Sequence, residues 1–227
     1  MKRCQLKPTT FKQVGINGLW ILLIIGVILL IISSVKLIND YKEEQRIKGY
    51  PFEIMRQEAE LSYNENKSRL VHIVDDYIKT IAPNSSLTGY CIVTNCEKYD
   101  LDIKFVLAQG QVESQFGTKG LATKTNSVFN VGAYDGKTYE EINGKYKYKH
   151  PDFSVEPYMQ LLYKDYITGT TTELDLMRKY INKSGKRYAS NTNYENDLLN
   201  IYKQIEDNTN ISELQGDMRR YRIILGK

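Results

Sequence analysis

Asp102-Ile103-Lys104-Phe105-Val106-Leu107-Ala108-Gln109-Gly110-Gln111-Val112-Glu113-Ser114-Gln115-Phe116-Gly117 is the stretch whose reading decides the fold. Asp102 is placed to cap a helix that carries Ile103, Val106, Leu107 and Gly110 on one face. Seven residues separate Val106 from Glu113, and at about 100° per residue that is about 700°, some 20° short of two full turns. Glu113 therefore continues the apolar stripe and faces inward. A carboxylate so placed is costly while charged, so its pKa is expected to rise. Asp100 and Asp102 read as caps.

Outward from this helix, Leu70, Ile73, Val74, Tyr77, Ile78 and Ile81 repeat at three and four residues and mark a second core helix, closed by Pro83-Asn84-Ser85-Ser86. From Gly117 to Gly136 the chain is rich in Gly, Thr, Asn and Ser and reads as a long loop, a length that is usually functional. Residues 137–149 alternate around Asn143-Gly144, the signature of a small hairpin. Three helical segments follow Pro151, at about Ser154 to Thr168, Glu173 to Ile181 and Asn193 to Asp207. Residues 208–227 mix Arg219, Arg220 and Arg222 with Ile223, Ile224 and Leu225 and carry no assignment. The fold class expected is mainly α (α+β).

The 227 residues are 41% hydrophobic and 26% charged, ordinary for a folded protein. The net charge of +4 is concentrated at the start, where residues 1–40 hold five Lys or Arg against Asp40 alone; the totals of 31 basic and 27 acidic residues then leave 26 of each in 41–227. That neutral remainder argues against nucleic acid as a partner. Val14 to Ile32 is an apolar run broken by Asn17 alone. As a helix it would extend about 28 Å, the thickness of a bilayer's hydrocarbon core. It is too long for a cleaved signal core, and Ser33-Ser34-Val35-Lys36 is a poor cleavage site. Basic residues before the run and acids after it place the amino terminus in the cytoplasm and everything beyond residue 40 outside. The organisation expected is a basic tail at 1–13, an anchor in the lipid bilayer at 14–35, a juxtamembrane linker and stalk at 36–65 with Pro51 able to open a helix, a compact domain at 66–207, and a tail at 208–227.

On the exported side Cys91 and Cys96 are spaced so that a disulfide closing Ile92-Val93-Thr94-Asn95 is plausible, with two unpaired thiols as the alternative from spacing alone. No CxxC pair and no HExxH occurs, and the histidines are His72 and His150, so no metal or other cofactor is expected. His150, before a proline, reads as a turn residue.

Ala108-Gln109 with Glu113-Ser114 and Gly117, then Asn126-Ser127-Val128-Phe129-Asn130-Val131-Gly132, then Tyr188-Ala189 followed by Leu198-Leu199-Asn200-Ile201-Tyr202, resemble the glucosaminidase family of peptidoglycan hydrolases, glycoside hydrolase family 73. The resemblance covers about residues 70–207 and implies a lysozyme-like helical domain with a small hairpin. It also implies an endo-β-N-acetylglucosaminidase acting on peptidoglycan glycan strands, with Glu113 as general acid. An acid protonated at neutral pH is what cleavage of a glycosidic bond demands, and an inward-facing glutamate supplies it. For a second group the family places an acid after the motif in some members, here Asp135, Glu140 or Glu141; assistance by the sugar's acetamido group would make one unnecessary. Tyr188 matches the family's closing tyrosine, although Arg187 stands where that motif has glycine and Asn191-Thr192 where it has aspartate-proline. Sugars stack on aromatic faces, so Phe129, Tyr134, Tyr139, Tyr146, Tyr148 and Tyr194 are candidates for a saccharide groove, with Asp135, Asn126 and Asn130 as polar contacts.

Three other readings compete. A lytic transglycosylase would use the same glutamate and leave anhydro ends. A non-catalytic peptidoglycan-binding scaffold would have no need of Glu113. A cysteine amidase or peptidase would pair Cys91 or Cys96 with His150, and no pattern around them suggests it. Relatives of this kind include cell-wall hydrolases of bacteria and their phages. The Ile/Leu-rich anchor favours permanent attachment over later release.

Overall fold

A computed structural model describes residues 11–131 and 140–227, which are mostly helical and divide into two units that meet between Glu58 and Ala59. One helix, α1 (Phe11–Ile81, 71 residues), contributes to both. In the first unit the apolar stretch is exposed from Leu23 to Ile32, Leu29, Leu30 and Ile32 each standing more than half open, and it is long and apolar enough to cross a membrane, with a mean hydropathy of 2.1. Pro51 lies inside α1 and opens no new helix. A proline forfeits one backbone bond, and a helix already nucleated on both sides absorbs that loss.

In the second unit, Ala59 and Tyr63 are already buried, followed by Leu70, Val74 and Ile78 at helical spacing. The next helix, α2 (Gly89–Tyr99), is capped by Thr88, whose hydroxyl accepts from Cys91 N. It lies so close to α1 that a Cβ on Gly89 would meet Val71 O at 2.5 Å and Asp75 N at 2.9 Å. Because α2 runs straight through the cysteines, the candidate Cys91–Cys96 disulfide is not formed and the alternative of two free thiols holds. Five residues along a helix turn the two side chains about 140° apart. Cys96 enters the core, while Cys91 Sγ donates to Asp152 O at 3.3 Å.

The centre is α3 (Ile103–Ser114), with every residue from Ile103 to Gly110 buried, as expected of a helix covered on all sides. Asp102 caps it by accepting from Lys104 N at 2.8 Å. Three more helices wrap this unit: α5 (Val155–Leu161), preceded by a 3₁₀ turn at Pro151–Ser154 and continued by a π turn at Leu162–Tyr166, α7 (Tyr194–Asn208) and α8 (Ile211–Leu225). The last of these lies in the tail that has no assignment in sequence. Ile211, Leu214 and Met218 on its inner face join the core, and Gln215 accepts from Ile103 N and donates to Leu101 O. The segment expected to be helical from Glu173 to Ile181 is helical only as α6 (Glu173–Leu176) before Ile181 pairs with Arg187 in an isolated bridge.

Between α3 and α5, the described part of the expected loop is built of turns and a short α4 (Ala122–Thr125). Ser114 Oγ donates to Val128 O at 2.7 Å and accepts from Gly117 N at 2.8 Å, tying this segment to the end of α3. The hairpin forms as expected, β1 (Glu141–Ile142) against β2 (Lys145–Tyr146), antiparallel. Asn143 (φ 50°) and Gly144 (φ 71°) make the turn, both with the positive φ that a two-residue hairpin favours. Tyr148 N donates to Thr125 O and Asn126 Nδ2 to Tyr148 O, each at 2.7 Å, and this bolts the hairpin to α4.

Candidate active site

Glu113 sits in the last turn of α3 at the wall of a cleft of about 600 Å³. Tyr194 OH, from the start of α7, donates to its Oε1 at 2.7 Å, and Asn130 Nδ2 donates to Oε2 at 3.1 Å. The same amide nitrogen donates to Glu113 O at 3.0 Å. Asn130 reaches both oxygens because its backbone is left-handed (φ 49°), a conformation asparagine tolerates better than most residues. Lys145 Nζ on β2 in turn donates to Asn130 O at 2.6 Å. Helix, turn and hairpin thus converge on one carboxyl.

Burial is the largest influence on Glu113 and raises its pKa above the ordinary glutamate value. The bonds from Tyr194 and Asn130, and the charge of Lys145, pull the other way without cancelling it. The group is therefore held between two tendencies, protonated more readily than a surface glutamate yet still furnished with donors for its charged form.

Behind the carboxyl lies an aromatic stack. The Tyr188 and Tyr180 rings are 4.6 Å apart at 18°, and Tyr194 packs 5.8 Å from Tyr188. Fully buried Gln109, one turn before Glu113 on α3, accepts hydrogen bonds from Tyr180 OH at 2.7 Å and from Tyr158 OH. Tyr188 OH donates to Phe129 O at 3.0 Å. Burial drives the pKa values of Tyr188 and Tyr194 well above the ordinary tyrosine value, so both phenols stay protonated as donors.

The sequence candidates fall into groups. Glu113, Asn130, Tyr188 and Tyr194 all line the cleft. Phe129 does not: it is 1% exposed, and its ring stacks on Tyr158 at 3.7 Å, so no face remains for a sugar. Asn126 spends its amide on Tyr148 O and is a hairpin clamp. Glu140 is exposed and ion-paired with Lys147 Nζ at 2.7 Å. Glu141 lies on β1; its side chain, and Tyr134, Asp135 and Tyr139, are outside the described residues. His150 caps the 3₁₀ turn, as a turn residue should. Burial pushes the Cys91 thiol up to about 12, which leaves no thiolate for nucleophilic chemistry at neutral pH.

Sequence reasoning passed over Lys145, Tyr180 and Asp165, and quoted Gln109 in the motif without giving it a role. A signal for Gln109 existed, an amide four residues before Glu113 on the same stripe. Asp165, which lines the cleft and is paired with Lys183 Nζ at 2.7 Å, had none. Among the described residues no group of His, Cys, Asp and Glu could hold a metal ion.

No curated protein matches this sequence closely. A family model does, that of glucosaminidase, described as mannosyl-glycoprotein endo-β-N-acetylglucosaminidase, over residues 91–207, more than half of the chain. The match takes in the helix that carries Glu113, the Asn130 turn, the hairpin, and the Tyr188 and Tyr194 segment that closes the cleft, and the chain belongs to the glucosaminidase family of glycoside hydrolases.

Proposed function

We propose that this protein is a membrane-anchored endo-β-N-acetylglucosaminidase that cuts the β-1,4 bond after N-acetylglucosamine in peptidoglycan, with Glu113 as general acid. The observation that carries the reading is the Glu113 carboxyl, raised by burial, at the wall of an open cleft and fixed by Tyr194 and Asn130. A protonated carboxyl there donates its proton to the leaving glycosidic oxygen. Tyr194 and Asn130 then hold the carboxylate that remains. Tyr188, braced between Phe129 O and Tyr180, is a positioning residue for Tyr194.

For the second group, Asp165 is the other carboxylate lining the cleft among the described residues, and it joins Asp135, Glu140 and Glu141 as a candidate. In this reading residues 14–35 lie in the bilayer with the amino terminus cytoplasmic, so the cleft works outside the membrane, where its polymer is.

The test is digestion of purified peptidoglycan by the full chain in detergent, with released ends identified by mass spectrometry. Reducing N-acetylglucosamine ends are expected, together with a loss of about 10²- to 10⁴-fold in Glu113→Gln. Anhydro ends would replace the reading with a transglycosylase. Asp165→Asn, Asp135→Asn, Glu140→Gln and Glu141→Gln, assayed beside it, identify the second carboxylate as the one whose loss approaches that of Glu113→Gln.

A further inference from the structure

The Glu113 cleft does not end at its own walls. Val131, Leu161 and Asp165 also line a smaller hollow of about 160 Å³, and that hollow shares Tyr146, Pro157 and Gln160 with a third of about 670 Å³. These shared residues link the three in series, from Glu113 past the hairpin to the start of α2 and the 3₁₀ turn. The largest is the one farthest along this path from the carboxyl.

Its lining is aromatic. Tyr90 and Phe153 stand 63% and 62% exposed at its wall, and Tyr146 and Tyr148 meet edge to face at 6.3 Å. The carboxylates nearby are already engaged. Asp152 accepts from Thr88 N and Oγ1 at 2.9 and 3.0 Å, and Glu156 from Lys98 Nζ and Tyr99 OH at 2.5 and 3.2 Å. Asn95 and Gln160 are also on the wall, Asn95 Nδ2 donating to Cys91 O at 2.9 Å and Gln160 bonding Glu156. Two open aromatic rings at a hollow that continues from the Glu113 cleft suit a ligand that is flat on its C–H faces and edged with hydroxyls that the Asp152 carboxylate can accept. A pyranose ring fits that description; a phosphate polymer, which would meet the Asp152 carboxylate, does not.

We infer that the hollow walled by Tyr90 and Phe153 is a distal saccharide subsite that holds a sugar of the same strand several units from the bond being cut. The inference rests on the proposed glycan substrate. Its consequence is a preference for long strands, because only they reach from Glu113 to Tyr90.

The experiment compares full-length wild type with Tyr90→Ala/Phe153→Ala in detergent, on a length series of soluble glycan strands from a tetrasaccharide upward. Both side chains are largely exposed, so the fold should tolerate their loss, and a thermal melt checks that it does. The expected result is kcat/KM that rises with length in the wild type, a drop of about tenfold in the variant on long strands, the size of two lost stacking contacts, and unchanged activity on the tetrasaccharide. Equal losses at all lengths, or none, overturn the subsite. Binding of long strands to Glu113→Gln, with and without the two alanines, is measured in parallel. If the wild type cuts nothing, the hydrolase reading fails by itself, and the subsite stands or falls on whether the alanines weaken that binding.

Discussion

Removing one hydroxyl should move the pH profile of this enzyme in a direction that intuition about damaged active sites does not suggest. Tyr194 OH donates to Glu113 Oε1 at 2.7 Å from a side chain that is 4% exposed. The bond favours the charged carboxylate and opposes the burial that raises its pKa. In Tyr194→Phe the ring keeps its packing 5.8 Å from Tyr188 and 5.9 Å from Tyr180, so the wall of the cleft should stand. What is lost is a hydrogen bond to an ionisable group, worth about 1.5–3 kcal/mol for the charged form. Water entering from the cleft replaces part of it, so the lower end applies, equivalent to about one pH unit. A general acid works only while protonated, so activity falls as pH rises through its pKa. The variant's alkaline limb should therefore lie about one unit higher than the wild type's, whatever happens to the maximum rate. The assay is kcat/KM against pH on soluble glycan strands. Tyr202→Phe is the control: its hydroxyl donates to Asp102 Oδ2 at 2.8 Å, at the opposite end of α3, and its limb should not move. A Tyr194→Phe limb that stays in place or shifts to lower pH would refute the assignment of Glu113 as the acid under this bond's control.

Other consequences follow from the same contacts. Because Glu113 is raised in the folded state, it binds its proton more readily folded than unfolded and costs stability once ionised; Glu113→Gln should melt higher at neutral pH, by roughly 1 kcal/mol or about 2–4 °C. That gain should shrink as pH falls through the folded pKa and be gone below the unfolded glutamate value of about 4.3, and a gain independent of pH would contradict the burial argument. Removing residues 209–227 withdraws Ile211, Leu214 and Met218 from the core, each worth roughly 1.5–3 kcal/mol, and leaves Ile103 N and Leu101 O without Gln215; against a total of about 5–15 kcal/mol the truncated chain should melt tens of degrees lower or not fold, and a loss of only a degree or two would show that α8 is an appendage. Dithiothreitol should leave the melting temperature unchanged, and Cys91 and Cys96 should alkylate under denaturing conditions without prior reduction. Native Cys91 should label slowly, since its thiol is held at about 12.

How far the sequence could be read depended on whether a feature was local. The inward aim of Glu113 follows from helix geometry over seven residues, and the hairpin turn from two residues that accept positive φ, so both were legible. Even α8 carries a local stripe at Ile211, Leu214 and Met218. That stripe was obscured because Ile223 and Ile224, 80% and 46% exposed, follow it and blur the line between inner and outer face. The cysteines misled for a related reason. Their spacing suits a small closed loop only if the chain between them is irregular, and Thr88, a good cap, had already committed it to a helix.

The chemistry proposed for Glu113 is a different matter, because its two donors arrive from 81 and 17 residues away. Burial alone would raise the Glu113 pKa, and any inward helix position could do that. A working acid must also survive losing its proton, and it does so only if donors wait where the carboxylate will be. Here those donors are positioned by Tyr188, by the left-handed turn at Asn130 and by the Gln109 amide that anchors Tyr180, and of these a helical period can place Gln109 but not its partners. The stripe on α3 places Glu113; the contacts across the fold determine how readily it holds its proton.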